Sequence, residues 1–325
     1  MSQTITYGRI LEEFLNMRIK HPRLDDAYAL YDDLRHVKRS CPHEPQRFGA
    51  LFADPQSGKS TCVKMYIESR VVDDAIERGL FPGSMDRRIV AKQQRLALHV
   101  TLSTNATPKS LATDILTAFG DPRASYGTAQ SLLQRAYGYM QHFGTEIVFI
   151  DEIQHLAHKT ARVDGKAERS NLLESTATTD TLKTMLLNGL VPMMFVGVRE
   201  ARHHLFNDPQ LAARCISELD FGRLTFDNPK SRNIFIEYCG RLGIKLQQHG
   251  LFSKASDLVS GAIPGNINEV AGGRLGMASN LVLAACKVAV EEGAPCVTWN
   301  HLDEATEDWA IPMGITSRNP FRRQR

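Results

Sequence analysis

The sequence predicts an α/β fold, a parallel sheet flanked by helices, followed by a small all-helical domain. Three observations predict it. Apolar runs with a strand's length alternate with helix-like stretches as far as about residue 227, the order that builds a parallel sheet covered on both faces. The first run, FGALFA (48–53), leads into a Gly-Lys-Ser turn and a helix. Beyond residue 227 every periodic segment reads as helix. A length of 325 residues suits two domains better than one.

Residues 9–19 place Ile10, Leu11, Phe14, Leu15 and Ile19 on one helical face, and 24–39 give a second helix. Together they form an N-terminal helical region, 1–47. The core, 48–227, opens with the strand at 48–53 and a helix from about Gly58 to Arg70. An irregular basic stretch follows at 71–95, with a turn at Pro82-Gly83. LALHVTLS (96–103) is a strand, 108–119 and 127–142 are helices, and EIVFID (146–151) is a buried strand. A polar stretch (158–173), a helix near 179–188 and the strand LVPMMFVGV (190–198) complete the alternation, with Pro192 near that strand's start. Segments 229–243, 253–260, 266–290 and 299–310 are the predicted helices of the small domain, 228–311. Thr298, Asn300 and Glu304 mark the start of the last one. The tail, 312–325, holds four arginines and no acid, and is expected to be mobile.

Composition excludes several classes. The charged fraction is 23% and the formal net charge only +3, so any nucleic-acid contact must come from local basic patches. Six scattered cysteines have no CxxC spacing and suggest free thiols, with no zinc site or disulfide framework. No apolar run approaches the roughly 20 residues that span a bilayer. The expectation is a cytoplasmic protein that does not engage a membrane.

Residues 53–60, ADPQSGKS, fit the phosphate-loop spacing of a small residue, four others and Gly-Lys-Ser/Thr. Such a loop wraps backbone N–H groups around phosphate oxygens at a helix N-terminus. Ala53, Pro55, Gln56, Ser57, Gly58, Lys59, Ser60 and Thr61 are therefore nucleotide-binding candidates. Lys59 reaches the phosphates and Ser60 supplies a hydroxyl to Mg²⁺. Ala53 stands where glycine is usual. IVFIDE (147–152) ends a buried strand in two acids, which points them at the crevice beyond the strand ends. Asp151 would hold Mg²⁺ with Ser60, and Glu152 would polarise a water attacking the γ-phosphate. ATP and Mg²⁺ are the expected cofactors.

A polar side chain at the end of the 190–198 strand would sense that phosphate. Val198 stands there and cannot donate a hydrogen bond, so either the neighbouring Arg199 substitutes or the contact is missing. DPQLAARC (208–215) ends near Arg214. By spacing alone Arg214 is an ordinary surface arginine; at a subunit edge it can stabilise charge on a neighbour's phosphate.

QSGKST (56–61), FIDEIQHLA (149–157), FVGVREA (195–201), DPQLAARC (208–215) and IPGNINEVA (263–271) together resemble the TniB/TnsC family of transposition ATPases, a group of P-loop NTPases of the AAA+ type. The similarity covers roughly residues 45–310. It implies the roles above for Lys59, Ser60, Asp151 and Glu152, and makes Arg214 a candidate finger acting in trans. It also implies a homo-oligomer, ring or helical filament, on double-stranded DNA without strong sequence preference. A DDE-type transposase and a TniQ-like targeting protein are its implied partners. Around Asn266, a further nucleotide-binding candidate, GNIN lacks the arginine that many AAA+ proteins carry at a second sensor. With Ala53 and Val198, these departures bear on hydrolysis more than on binding.

Two basic segments are DNA-binding candidates: Arg87, Arg88, Lys92 and Arg95 in 84–95, and Lys159, Arg162, Lys166 and Arg169 in 158–170. Each also reads as a solvated charged loop. Two other functions compete with a transposition regulator. One is an ATPase of another AAA+ branch, a replication initiator or helicase loader; the other is a nucleotide-bound scaffold that does not hydrolyse.

Overall fold

A computed structural model describes residues 5–156 and 167–322, side chains of 167–176 excepted. It divides into two compact units. A sheet unit comprises Asp25–Ala53 and Lys59–Phe221; a helical unit comprises Met1–Leu24, Asp54–Gly58 and Gly222–Arg325.

The described chain opens with α1 (Tyr7–Asn16), whose first turn is capped by Thr6, and α2 (Pro22–Ser40). β1 (Phe48–Phe52) then enters the sheet and α3 (Lys59–Tyr66) follows the phosphate loop. A π-helical turn, Ile67–Val71, links α3 to α4 (Val72–Glu77), and α5 (Arg87–Gln93) comes next. The expected irregular stretch at 71–95 thus holds two helices. The signal overlooked is Asp86, whose carboxylate caps α5 by accepting from Arg88 N at 2.7 Å and Ile89 N at 3.4 Å.

β2 (Ala97–Thr101), α6 (Pro108–Phe119), α7 (Ala129–His142) and β3 (Ile147–Asp151) occupy the places the sequence predicts. α8 (Ala167–Leu187) begins earlier than expected and leads to β4 (Met193–Gly197). After α9 (Arg202–Phe206) and α10 (Pro209–Ala212), a fifth strand appears, β5 (Cys215–Leu219). It escaped sequence reading because its middle residues, Ile216, Ser217 and Glu218, are exposed at a sheet edge and lack a buried strand's apolar run.

All five strands are parallel, in the order β2-β3-β4-β1-β5. β1, β3 and β4 are buried at every position, as strands covered on both faces must be. Phe48, Val148, Ile150 and Phe195 pack with residues of α6, α7 and α8 in one continuous core. This sheet puts the residues that follow β1, β3 and β4 at the same end.

The helical unit contains α11 (Pro229–Gln248), α12 (Ile263–Ala271), α13 (Leu275–Glu291) and α14 (Trp299–Ala305) around its own core of Phe235, Leu242, Leu281 and Val282. Two expectations fail here. The single helix predicted at 266–290 is two helices, because Gly272 adopts φ +57° and ends α12 in a left-handed cap. No helix forms at 253–260, where Asp257 accepts from the N–H groups of Val259 and Ser260 at 3.0 Å each, a local alternative to helix. The tail is also less free than expected. Phe321 is buried, its carbonyl accepts from Trp299 Nε1 at 2.9 Å, and Arg318 pairs with Glu269 at 2.6 Å. No single described helix is long and apolar enough to cross a membrane.

Candidate nucleotide site

β3 delivers Asp151 to the strand end while keeping it 3% exposed. A carboxylate so buried needs partners, and it has three. Ser60 Oγ donates to Oδ2 at 2.6 Å, His99 Nε2 lies 3.0 Å from the same oxygen, and Glu152 N–H donates to Oδ1 at 2.9 Å. Burial alone would push the carboxyl up. The hydrogen bonds from His99, Ser60 and the Glu152 N–H more than offset this and hold it below the usual carboxylate range. Ser60 and Asp151 thus place one hydroxyl and one anionic oxygen side by side, two of the oxygen donors that could hold a divalent cation.

Lys59 opens α3, and its Nζ donates to Ala53 O at 2.8 Å, which ties the two ends of the phosphate loop within the sheet unit. Between them, Asp54–Gly58 makes its contacts in the helical unit: Asp54 pairs with Arg223 at 2.5 Å, and Gln56 O accepts from Gly276 N at 2.9 Å. Gly58 has φ +86°, a conformation that favours glycine. Ser57 Oγ is buried with no hydrogen-bond partner among the described residues, so an added phosphate oxygen would satisfy it. Pro55, Gln56 and Thr61 are exposed. These loop features fit a phosphate group.

Glu152 follows Asp151 at φ +60°, and its carboxylate accepts from Gln154 Nε2. Gln154 Oε1 in turn accepts from Val198 N at 3.3 Å, so the predicted sensor position takes part through its backbone. Arg199 is exposed in the short 3₁₀ turn beyond it. Arg214 immediately precedes β5. Its carbonyl accepts from Phe48 N at 3.2 Å, and among the described residues its guanidinium makes no hydrogen bond or ion pair.

Other candidates are engaged elsewhere. Asn266 gives its side-chain amide to Pro320 O at 3.0 Å. Asn268, two residues on, is buried and donates to Leu224 O at 2.8 Å. In the first basic segment, Arg95 spends its guanidinium on the carbonyls of Phe119, Lys92 and Gln94, and Arg87 pairs with Asp73 at 2.7 Å. Arg88 and Lys92 remain exposed, one turn apart on α5. Lys159, Arg162 and Lys166 lie outside the described residues, as does the side chain of Arg169. Sequence reading assigned no role to His99 or Gln154. His99 could have been found as the polar residue inside the apolar run LALHV; Gln154 has no comparable signal, because only the turn after β3 folds it back.

The family model for the AAA domain matches residues 43–205, half of the chain. The chain belongs to the AAA domain family. No curated protein matches its sequence significantly. This AAA chain is also similar to solved structures. With the Aeropyrum pernix ORC1 protein in complex with DNA, the TM-score is 0.60 at 15% identity, over 93% of this chain and 69% of that one. With the A. pernix ORC2 protein in ADPNP-ADP complexes, it is 0.59 at 15% identity, over 90% and 69%. With Cdc6p from Pyrobaculum aerophilum, it is 0.56 at 12% identity, over 91% and 70%. At such identities the likeness is one of fold. The AAA fold accounts for the parallel sheet and for the helical region that follows it.

Proposed function

We propose that this AAA chain is an ATP-dependent regulator of DNA transposition: a magnesium-dependent ATPase that oligomerises on duplex DNA and recruits or activates a transposase. The observation that carries the ATPase part is the bond from Ser60 Oγ to Asp151 at 2.6 Å, with Glu152 next in the chain. Lys59, Ser57 and the loop N–H groups would hold the phosphates, and Ser60 and Asp151 the Mg²⁺. The cation supplies charge neutralisation for the leaving phosphate. Glu152 takes a proton from water as the new P–O bond forms and the bridging P–O bond to the β-phosphate breaks. Arg214, whose guanidinium has no hydrogen bond or ion pair among the described residues, suits a finger reaching a neighbouring subunit's γ-phosphate. Release of phosphate then disassembles the oligomer.

The transposition part rests on the DEIQHL and DPQLAAR segments. A DDE-type transposase and a TniQ-like protein are its partners in that reading. Arg88 and Lys92 are the α5 side chains open to DNA phosphates. A second reading, a replication initiator of the ORC/Cdc6 kind, is favoured by the fold likeness to the DNA-bound ORC1 protein.

Phosphate release tests the enzyme. Wild type should hydrolyse ATP slowly and faster with duplex DNA, and Glu152→Gln should lose about 100-fold or more. Equal rates for the two would remove the catalytic claim. Electron microscopy with ATP and duplex at low salt tests assembly; rings or filaments on DNA are expected, and bare DNA refutes the regulator.

A further inference from the structure

We propose that the amino-terminal end of the sheet carries a second ligand site, one that takes a small organic monocarboxylate: Lys38 holds the carboxylate and the walls around it take an apolar body. The proposal does not rest on the ATPase reading. It concerns the other end of the strands, within the sheet unit alone. A cavity of about 460 Å³ lies there, in the size range of small-molecule sites, roughly 300–1,000 Å³. Its walls come from residues that precede the strands. Pro42 lies ahead of β1, Thr145 and Glu146 ahead of β3, and Gly189 and Leu190 ahead of β4, with Met140 of α7 beside them. These walls are fixed by the chain's own bonds. Gln46 N donates to Leu186 O at 2.8 Å, and the Gln46 amide closes its loop on Cys41 O at 3.1 Å and Glu44 O at 2.6 Å. Gly189, at φ +67°, lets that loop lie against the turn after α8; a Cβ there would stand 2.8 Å from both His43 O and Glu44 O. Thr145 Oγ1 donates to Arg95 O at 2.9 Å. A preformed wall costs a ligand little ordering entropy.

Charge selects the ligand. Glu146 is the acid of the lining, and its charge is already matched: Oε1 accepts from Arg78 at 2.6 Å, and Oε2 from Arg35 at 2.9 Å and Arg39 at 3.1 Å. Lys38 of α2 is the lining cation left over. Its Nζ donates to Pro42 O and Gly189 O at 2.8 Å each, both neutral acceptors, and it forms no ion pair among the described residues. Burial pulls its pKa down. An ammonium partly withdrawn from water calls for a counter-charge. It also has three N–H donors; the two carbonyls use two, and the third is open to a ligand. One donor on one unmatched positive charge suits a single carboxylate, whereas a phosphate dianion calls for two or more cations. Met140, Leu190 and the ring of Pro42 offer the rest of the molecule apolar contacts.

The test is a ligand-observed NMR titration of the full chain with phenylbutyrate, and with the neutral, nearly isosteric phenylbutyramide as control. Wild type should bind the carboxylate with a Kd of about a millimolar and the amide at least about tenfold more weakly. Saturating ATP and magnesium should leave the carboxylate's Kd unchanged. Lys38→Met keeps the stem and removes the charge. It should cost the carboxylate at least about tenfold and leave the amide's affinity as it was, a difference that a merely structural role for Lys38 would not produce. Should that variant fail to fold, Asn188→Trp carries the test. It sets an indole at an exposed position of the lining, leaves Lys38 in place and should weaken both probes alike. The proposal is overturned if wild type shows no binding at tenfold the expected Kd, or binds carboxylate and amide equally. Undiminished carboxylate binding by the folded variants also overturns it. So does competition by ATP, which would put the probe at the nucleotide site. Failure of the ATPase reading, by contrast, would leave all of these results as expected.

Discussion

The two compact units treat their polar side chains differently. In the sheet unit, Lys59, Ser60, Asp151 and Glu152 are brought together at strand ends with chemistry left over: a cation, a hydroxyl, a carboxylate held ionised and a second carboxylate. In the helical unit, polar groups are spent on the chain itself, the sequence's one candidate there beyond the phosphate loop, Asn266, among them. Asn266 serves Pro320 O, Asn268 serves Leu224 O, and Arg318 pairs with Glu269. The difference teaches that a polar residue's type does not mark it as functional; what matters is whether the fold leaves it bonding capacity. The sharpest way to break this contrast is at Lys59. Lys59→Ala removes the ammonium from the helix start and should weaken ATP binding about 100-fold, roughly 2.7 kcal/mol, with little change in melting temperature. Titration of a fluorescent ATP analogue measures it, and an unchanged Kd would show that the loop does not hold phosphate.

Asn268 is the counterpart in the helical unit. Its amide is the buried partner of Leu224 O, and its loss strands that carbonyl. Asn268→Ala should cost about 2 kcal/mol of stability, read from urea unfolding, while ATP affinity stays within twofold. An intact midpoint with impaired binding would reverse the comparison and make this a nucleotide contact.

What the sequence made legible follows the same division. Strands buried on both faces announce themselves as apolar runs, so β1, β3 and β4 could be read directly, and the Gly-Lys-Ser and Asp-Glu signatures sit where their strands end. β5 could not, because an exposed edge strand has no such run. In the helical unit the apolar periodicity of 266–290 masked Gly272-Gly273, and the local bonds of Asp257 overrode an apparent helix. At the site itself, partners such as His99 and Gln154 come from folding: His99 is 52 residues from Asp151, and Gln154 meets Val198 across 44. No local pattern reports a contact of that separation.

One segment crosses the contrast. Asp54–Gly58 makes its contacts in the helical unit yet belongs to the phosphate loop. There Gly276 donates its N–H to Gln56 O, and a Cβ on Gly276 would stand 2.6 Å from that oxygen. Because the obstruction is backbone, the loop must shift. Gly276→Val should therefore weaken ATP binding about tenfold, roughly 1.4 kcal/mol, with kcat at saturation less affected. Unaltered affinity would show that the loop's shape is set by Lys59 and Ala53 alone.

The smallest expected effect tests whether the helical unit tolerates charge in its interior. His21 is buried, and burial, with Arg23 and Arg241 adding to it, pulls its pKa down to about 4. The ring is therefore neutral in the folded protein at neutral pH. In the unfolded chain it titrates near its ordinary value of about 6.5. Between these two values the unfolded state binds more protons, so the stability gained by burying a neutral ring is full above about pH 6.5 and declines as the pH falls toward 4. At pH 5.5 the loss from this one group is about 1 kcal/mol. His21→Phe keeps the edge contact with Tyr238 and has nothing to protonate. Urea midpoints at pH 7.5 and 5.5 should fall less for this variant than for wild type. An equal fall in both would mean that acid acts on the unit through other groups, and that its interior does not discriminate against charge at this position.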